Sequence, residues 1–317
     1  MLRPRSVVSI FLVAMMVLVA DIAPGQDYPS KTIRIFTSAA GGGNDFTARR
    51  IAQGISGPLD QPVVVENRTA IPAIEGVTKA PPDGYTLLVG GGSVWIRTLL
   101  SKKMSYDPVR DLSPVTLTDS VPNLVVVHPS MPVKSIKELI AFAKARPGQI
   151  NYGGGEVGSI YQMMGEMFKS MAGVNMVYVA YKGGGPAAIA LHSGEVQLMF
   201  TITVMGSVRS GKLRALATTG SKPSALFPDL PTVSATLPGY VLENIATVMA
   251  PAKTPEATIR RLNQEIVRFL TRPEVKKRFL DFGTEVIASS PEQLAAYRDA
   301  DMAKISKIIK DARIPVE

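Results

Sequence analysis

Cysteine is absent from this 317-residue chain, and histidine occurs only at His128 and His192. The first absence excludes a disulfide-stapled scaffold, a thiolate nucleophile and thiolate metal ligation, so stability has to come from core packing. The second leaves little for a metal site or a Ser-His-Asp triad. His128 ends an apolar strand, His192 lies near a helix end at Ser193-Gly194, and neither has a carboxylate at ligand spacing. Both read as structural or surface residues. Aromatic residues make up 6% of the chain, and Lys and Arg are scattered without interleaved stacking side chains, which argues against a nucleic-acid surface. Long apolar runs are missing after residue 20. The one such stretch, Val7 to Ala20, follows Arg3 and Arg5 and runs into the small, turn-prone Asp21 to Gly25. It is too short to span a bilayer comfortably and has the layout of a secretory signal peptide over residues 1–25, with a cut before Gln26 after Ala23-Pro24-Gly25. An uncleaved anchor is the alternative reading. The expectation is an exported chain whose mature part is soluble.

What is present is a 46% apolar composition, enough for two cores, at a length that suggests about two domains. The formal net charge is +9, and loss of Arg3, Arg5 and Asp21 with the signal segment leaves 33 basic against 25 acidic side chains. That surplus favours anionic partners in general. Apolar, β-branched runs alternate with helical patterns: TIRIFT, a helix from about Asn44 to Leu59, PVVVE, a short helix near Ile74 to Ala80, then YTLLVG. Such alternation predicts a mostly parallel sheet with helices on its faces. A second block repeats it through NLVVVHP, a helix capped by Ser135, INY, a helix from Tyr161 to Ala172, MVYVAY, a helix from Ala187 to His192, and VQLMFT. After LRALATT comes a proline-rich connector, then VLENIATVMAP and two helices whose starts read Thr254-Pro255-Glu256 and Ser290-Pro291-Glu292, each with a capping hydroxyl, a proline and an acid. If these helices pack on the first block, the chain crosses between domains twice, as in a hinged two-lobed receptor.

Four glycine triplets close apolar runs: Gly41-Gly42-Gly43, Gly90-Gly91-Gly92, Gly153-Gly154-Gly155 and Gly183-Gly184-Gly185. Bare strand ends let a ligand approach main-chain amides, and open α/β sheets bind ligands at the carboxyl ends of their strands. The first triplet precedes an amphipathic helix, so its amides and the helix N-terminus can hold an anion with Asn44 or Asp45 as cap; a tight turn with an ordinary cap is the plain alternative. Gly153 to Gly158 matches a dinucleotide fingerprint in form, but the next strand, Met176 to Tyr181, carries no acid to hold a ribose. No cofactor is expected. Met163, Met167 and Met171 lie four apart beside Met164 and read first as core packing. With no paired acids in the glycine loops, there is little machinery for acid-base or nucleophilic chemistry, and the chain is not expected to be an enzyme.

The segments YPSKTIRIFTSAAGGGNDFTARRIAQ, QPVVVENR, APPDGYTLLVG, YDPVRDLSPV, VHPSMPVKSIKELIAFAKARPGQINYG, GEMFKSMAGV, YKGGGPA, GKLRALATT and PDLPTV, in this order over nearly the whole mature chain, resemble the solute-binding receptors of tripartite tricarboxylate transporters, the Bug-type receptors. The resemblance implies a type II periplasmic binding protein of α/β class, two lobes joined by a two-stranded hinge that close over one small organic carboxylate. It implies lobe I from 26–125 and 247–317, lobe II from 126–246, a monomer in the periplasm, and transient docking on membrane transporter subunits. Signalling through a sensor kinase stays open as the alternative output, with nucleic acid and metal not implied. Carried over by position, the carboxylate loop is Ala40, Gly41, Gly42, Gly43, Asn44 and Asp45, with Gly91, Gly92 and Ser93 beside it. The second lobe would add Gly155, Gly158, Ser159, Gln162, Tyr181, Gly183, Gly184 and Thr201 after Phe200. Departures from the family pattern fall at Thr69 to Ala73, Ile160 to Gln162, Thr201-Ile202 and Ile245-Ala246. They imply a distal pocket that is less acidic and more apolar, which disfavours an amino-acid ligand.

Overall fold

The computed structural model describes residues 28–38 and 40–316, so the signal segment expected at 1–25 lies outside the described residues. The chain opens with three parallel strands and their helices: β1 Ile33–Thr37, α1 Gly43–Ser56, β2 Val63–Asn67, α2 Ala70–Thr78, β3 Thr86–Gly90 and α3 Ser93–Leu100. A long strand follows, β4 Leu112–Pro122, and after the single residue Asn123 the chain enters β5 Leu124–Val127. Then come α4 Ile136–Ala145, β6 Asn151–Gly154, α5 Ile160–Ala172, β7 Val177–Ala180, α6 Gly184–Ser193, β8 Leu198–Thr201, α7 Met205–Arg209 and β9 Arg214–Thr218. The return leg is β10 Glu243–Pro251, α8 Glu256–Leu270, α9 Pro273–Phe282, β11 Glu285–Val286 and α10 Pro291–Asp311.

These strands form two sheets and two α/β lobes. The first sheet has the order β11-β4-β10-β3-β1-β2 and the second β7-β6-β8-β5-β9. In the second, β6 runs parallel to β7 and β8 while β5 is antiparallel to β8 and β9. The chain leaves the first sheet at Asn123 and returns through 219–242, and the two crossing strands pair antiparallel from Glu243↔Pro122 to Pro251↔Leu112. The connection between lobes is therefore a two-stranded ribbon at the end of the first sheet.

Cores follow the apolar stripes. Ile51 and Ile55 of α1 and Leu262 and Ile266 of α8 bury against Ile33, Ile35, Leu87 and Val248 on one face of the first sheet. A second core runs from Trp95 and Leu88 through Tyr152, Phe168 and Phe200 of the second lobe to Ile305 and Ile308 of α10, so the last helix packs against both lobes. Gly165 is required there, because a Cβ at that position would sit 2.1 Å from the Tyr152 ring. Ser290 caps α10 in a full capping box with Gln293, as its sequence suggests. Thr254 does not cap α8: that helix starts at Glu256 after Pro255, and the Thr254 hydroxyl donates to the Pro251 carbonyl at 2.7 Å.

Several elements were not legible from pattern, among them α7. β4 contains Pro114, Asp119 and Pro122, a composition that reads as loop. The ladder with β10 slips between Val248 and Met249, opposite the stretch from Thr116 to Pro114, so the proline without an N–H falls where the pairing is irregular. β11 has two residues, and α3 and α9 are short helices following glycine-rich and proline-marked turns. The segment Ala70 to Ala73, read as loop, is the first turn of α2, with Pro72 tolerated there because first-turn amides have no helical acceptor.

Candidate functional site

Four helix N-termini open on one cleft between the lobes, two from each. Gly43 and Asn44 begin α1, Gly92 and Ser93 begin α3, Ser159 and Ile160 begin α5, and Gly183 is the N-cap of α6; all of them line a cavity of about 1130 Å³. Each terminus carries orphan N–H groups and about half a positive charge, worth roughly 0.3–1 kcal/mol toward an anion and up to about 2 kcal/mol when partly buried. Together they rival one charge-assisted hydrogen bond of about 1.5–3 kcal/mol, so an anion can be held without a buried arginine.

Of the residues expected at the site, the cleft brings together Gly43, Asn44, Gly91, Gly92, Ser93, Gly158, Ser159 and Gly183. It does not include Ala40, Gly41, Gly42, Asp45, Gly155, Gln162, Tyr181, Gly184 or Thr201 among its lining residues. Asp45 is not the α1 cap, nor is Asn44: the N-cap is Gly42, and Asp45 sits at the third helical position with its carboxylate turned back. That carboxylate accepts from the Gly41 amide at 2.9 Å, from Asn67 Nδ2 at 2.7 Å and from Arg49 Nε at 3.1 Å. Burial works to raise its pKa, and the bonds from Asn67, Gly41 and Arg49 outweigh it and hold the carboxyl below the usual carboxylate range. Asp45 therefore shapes the loop rather than facing a ligand.

The second-lobe residues behave similarly. Gln162 Oε1 accepts from the Gly158 amide at 2.7 Å, and Ser159 caps α5 by accepting from Gln162 N. Gly158 holds φ +84°, and a Cβ there would lie 2.7 Å from Leu100 Cδ1 on α3, so the loop touches the first lobe at this point. Tyr178 Oη donates to the Gly155 carbonyl at 2.6 Å and lies 3.1 Å from Ser159 Oγ, anchoring the loop from β7. Tyr181 turns away to donate to Glu195 at 2.8 Å, and Thr201 is wholly buried against Thr203.

The cleft also takes residues that no motif marks. Ser38, Ile96, Arg97 and Leu100 line it from the first lobe, Tyr161, Lys182 and Ile202 from the second, and Ile245 and Ala246 from the returning strand. Ile160, Tyr161, Ile202 and Ile245 bring apolar surface to the cleft, but the expectation of a lining poor in acid is not met: Asp119, Glu156, Glu243 and Asp301 all line it. Asp119 stands on β4, whose sequence reads as loop, and Glu243 opens β10 opposite Pro122, so only tertiary packing reveals them. Asp119 accepts from the hydroxyls of Thr47 at 3.0 Å, Thr118 at 2.7 Å and Thr284 at 2.7 Å; burial nevertheless pushes its carboxyl up. Burial also raises Glu243, against a weak bond from the Ser221 amide at 3.3 Å. Asp301 accepts from the indole N–H of Trp95 at 2.8 Å.

The residues set aside from sequence stay outside the cleft. His128 pairs with Ser130 at 2.7 Å and His192 with Ser207 at 3.0 Å, and Met163, Met164 and Met167 are buried in the core, while Met171 is exposed on the same helix. Thr69 to Ala73, one of the departures from the family pattern, does not line the cleft either. Among the described residues no group of three or more His, Asp or Glu is placed to hold a metal ion, and no helix is long and apolar enough to cross a membrane.

With this geometry in view, residues 47–314 match the sequence profile of the family described as tripartite tricarboxylate transporter family receptor. The chain is 31% identical over 320 residues to Protein BugT of Bordetella pertussis, covering 98% of each chain. Among solved structures, a protein of R. palustris with adipate is 32% identical with a TM-score of 0.75, over 91% of this chain and 99% of that one. The periplasmic binding protein BugD is 28% identical with a TM-score of 0.71, over 91% and 99%.

Proposed function

The chain belongs to the tripartite tricarboxylate transporter receptor family, whose members are periplasmic solute-binding proteins and not enzymes, and on that premise we propose that it captures a small organic carboxylate by lobe closure and delivers it to a membrane transporter of this type. The observation that carries the reading is the convergence of four helix N-termini, two per lobe, on one cleft. A carboxylate seated against Gly43, Asn44 and Gly91 to Ser93 would meet main-chain amides of the first lobe. The Ser159 and Gly183 ends would then complete its shell from the second lobe. Such a pocket is worth most when water is excluded, because opposite charges attract more strongly as the local dielectric falls.

Closure is part of the proposal. At about 1130 Å³ the cleft exceeds the roughly 300–1000 Å³ of pockets that enclose drug-sized ligands, so a small carboxylate would be left partly wet until the lobes approach. We take the moving bodies as 26–125 with 247–317 and 126–246; the two passages of the chain between sheets, at Asn123 and through 219–242, support such a division. The relative solved with adipate supports a carboxylate as the class of ligand. The family supports export, with residues 1–25 as a cleaved signal.

The test is calorimetry on the mature chain, unfolded and refolded to strip carried-over ligand, against a panel of mono-, di- and tricarboxylates. One or more should bind with micromolar or tighter affinity and shrink the radius of gyration in X-ray scattering. Absence of binding across the panel would overturn the reading.

A further inference from the structure

The cleft has an amide end and an apolar end, and its charges are arranged unevenly. Gly92, in the amide cradle, lies between two apolar side chains: a Cβ on it would be 3.6 Å from Ile96 Cδ1 and 4.0 Å from Ile245 Cγ1. From there the apolar surface continues along α3 to Leu100, where the Gly158 loop touches it from the opposite lobe, and then to Ile160, the first residue of α5. Ile202, just beyond β8, faces the same cavity. The cationic side chains of the lining, Arg97 and Lys182, are exposed, whereas the lining acids Asp119, Glu243 and Asp301 are buried or half-buried, with Glu156 exposed beside them.

We propose that the ligand is a monocarboxylate with an apolar body, an aliphatic chain or an aromatic ring, and that Ile160, Ile202 and Ile245 select for that body. This rests on the receptor reading above and narrows it. The carboxylate sits on the amides of Gly43, Asn44 and Gly91 to Ser93, and the body lies on the isoleucine wall with Ile96 and Leu100. A second carboxylate at the far end of the ligand would lose its water against hydrocarbon, at a cost no buried cation offsets. A terminal ammonium would lose its water against the same wall.

Three probes of one chain length separate these cases: hexanoate, adipate and 6-aminohexanoate, titrated calorimetrically into the refolded mature chain. The expected result is hexanoate binding at least tenfold more tightly than either of the others. Adipate binding as tightly as hexanoate would overturn the proposal while leaving the carboxylate receptor intact. So would a preference for 6-aminohexanoate, which would hand the far end to the acids. If no carboxylate binds, the receptor reading fails and this one with it. The half-buried Ile160→Asn and Ile202→Asn variants, checked for native unfolding temperature, should each weaken hexanoate at least fivefold and narrow its lead over adipate. Unchanged hexanoate affinity in both, or an equal loss for both ligands, would remove the isoleucines from the role.

Discussion

The backbone N–H of Gly41 donates to the carboxylate of Asp45 at 2.9 Å, so the amide at the head of the first glycine loop is already satisfied before any ligand arrives. The same carboxylate binds Asn67 of β2 and Arg49 one turn along α1, which ties the loop to the neighbouring strand and presents Gly43 and Asn44 to the cleft. An acid in this loop therefore coexists with an anion site because its charge is spent on the rear of the loop.

Asp45→Ala should cost about 1.5–3 kcal/mol of unfolding free energy at neutral pH, the range for hydrogen bonds to charged groups. The carboxyl is held below its ordinary value, so its stabilisation is fully present above the unfolded pKa of about 3.9 and is lost as pH falls through the lower folded value. Urea unfolding of wild type and variant should converge in acid below that range. A gap independent of pH would refute the charge-based role.

Gly158→Ala should destabilise by about 1–2 kcal/mol, because φ +84° is left-handed backbone that an L side chain adopts at a cost. Leu100→Ala in the same chain would relieve the methyl contact but not the backbone strain, so rescue should be incomplete. Gly43→Ala is the control: nothing lies within 4 Å of a Cβ there, and its stability should stay within about 0.5 kcal/mol of wild type while ligand affinity falls.

Asp119→Asn should raise the unfolding temperature at neutral pH. Burial lifts the Asp119 carboxyl, which means the folded state penalises its charge, and the penalty grows as pH rises above the unfolded value of about 3.9. The amide keeps an acceptor for Thr47 and Thr118 and offers Thr284 a donor, while the Thr284 hydroxyl retains the Ser120 carbonyl at 3.0 Å. The advantage should vanish on acidification below about pH 4. A variant less stable than wild type at pH 7 would show that the ionised form is wanted.

Trp95 is the single tryptophan, is fully buried, and packs beside Gly92. Its emission should be blue-shifted, protected from iodide, and altered when a ligand fills the cleft. Trp95→Phe leaves the buried Asp301 carboxylate without its indole donor and should cost about 2–3 kcal/mol in urea unfolding.

Much of the fold was legible because its signals are local. The stripe on α8, the Ser290 box and the strand-glycine-helix order each need only neighbouring residues. The crossing strand β4 was not legible, since Pro114 and Pro122 argue against a strand when partners are unknown. At the candidate site, Gly43, Ser159 and Gly183 could be picked out at the starts of helices after strands, whereas Gly92 was marked only by its glycine triplet because α3 was not legible. Tyr181, Gln162 and Asp45 have equally polar side chains, and nothing local says that they turn to Glu195, the Gly158 amide and Gly41 instead of the cleft.

By itself the sequence determined two α/β units, backbone-rich strand ends and a shortage of histidine and cysteine, because periodicity, capping and composition act over a few residues. Only the tertiary structure decided that four helix ends meet in one cleft, that Asp119 and Glu243 stand in its wall, and that isoleucines from three separate segments line the same cavity. Those contacts join residues far apart in the chain, and they exist only once β4 and β10 pair and set the two sheets against each other.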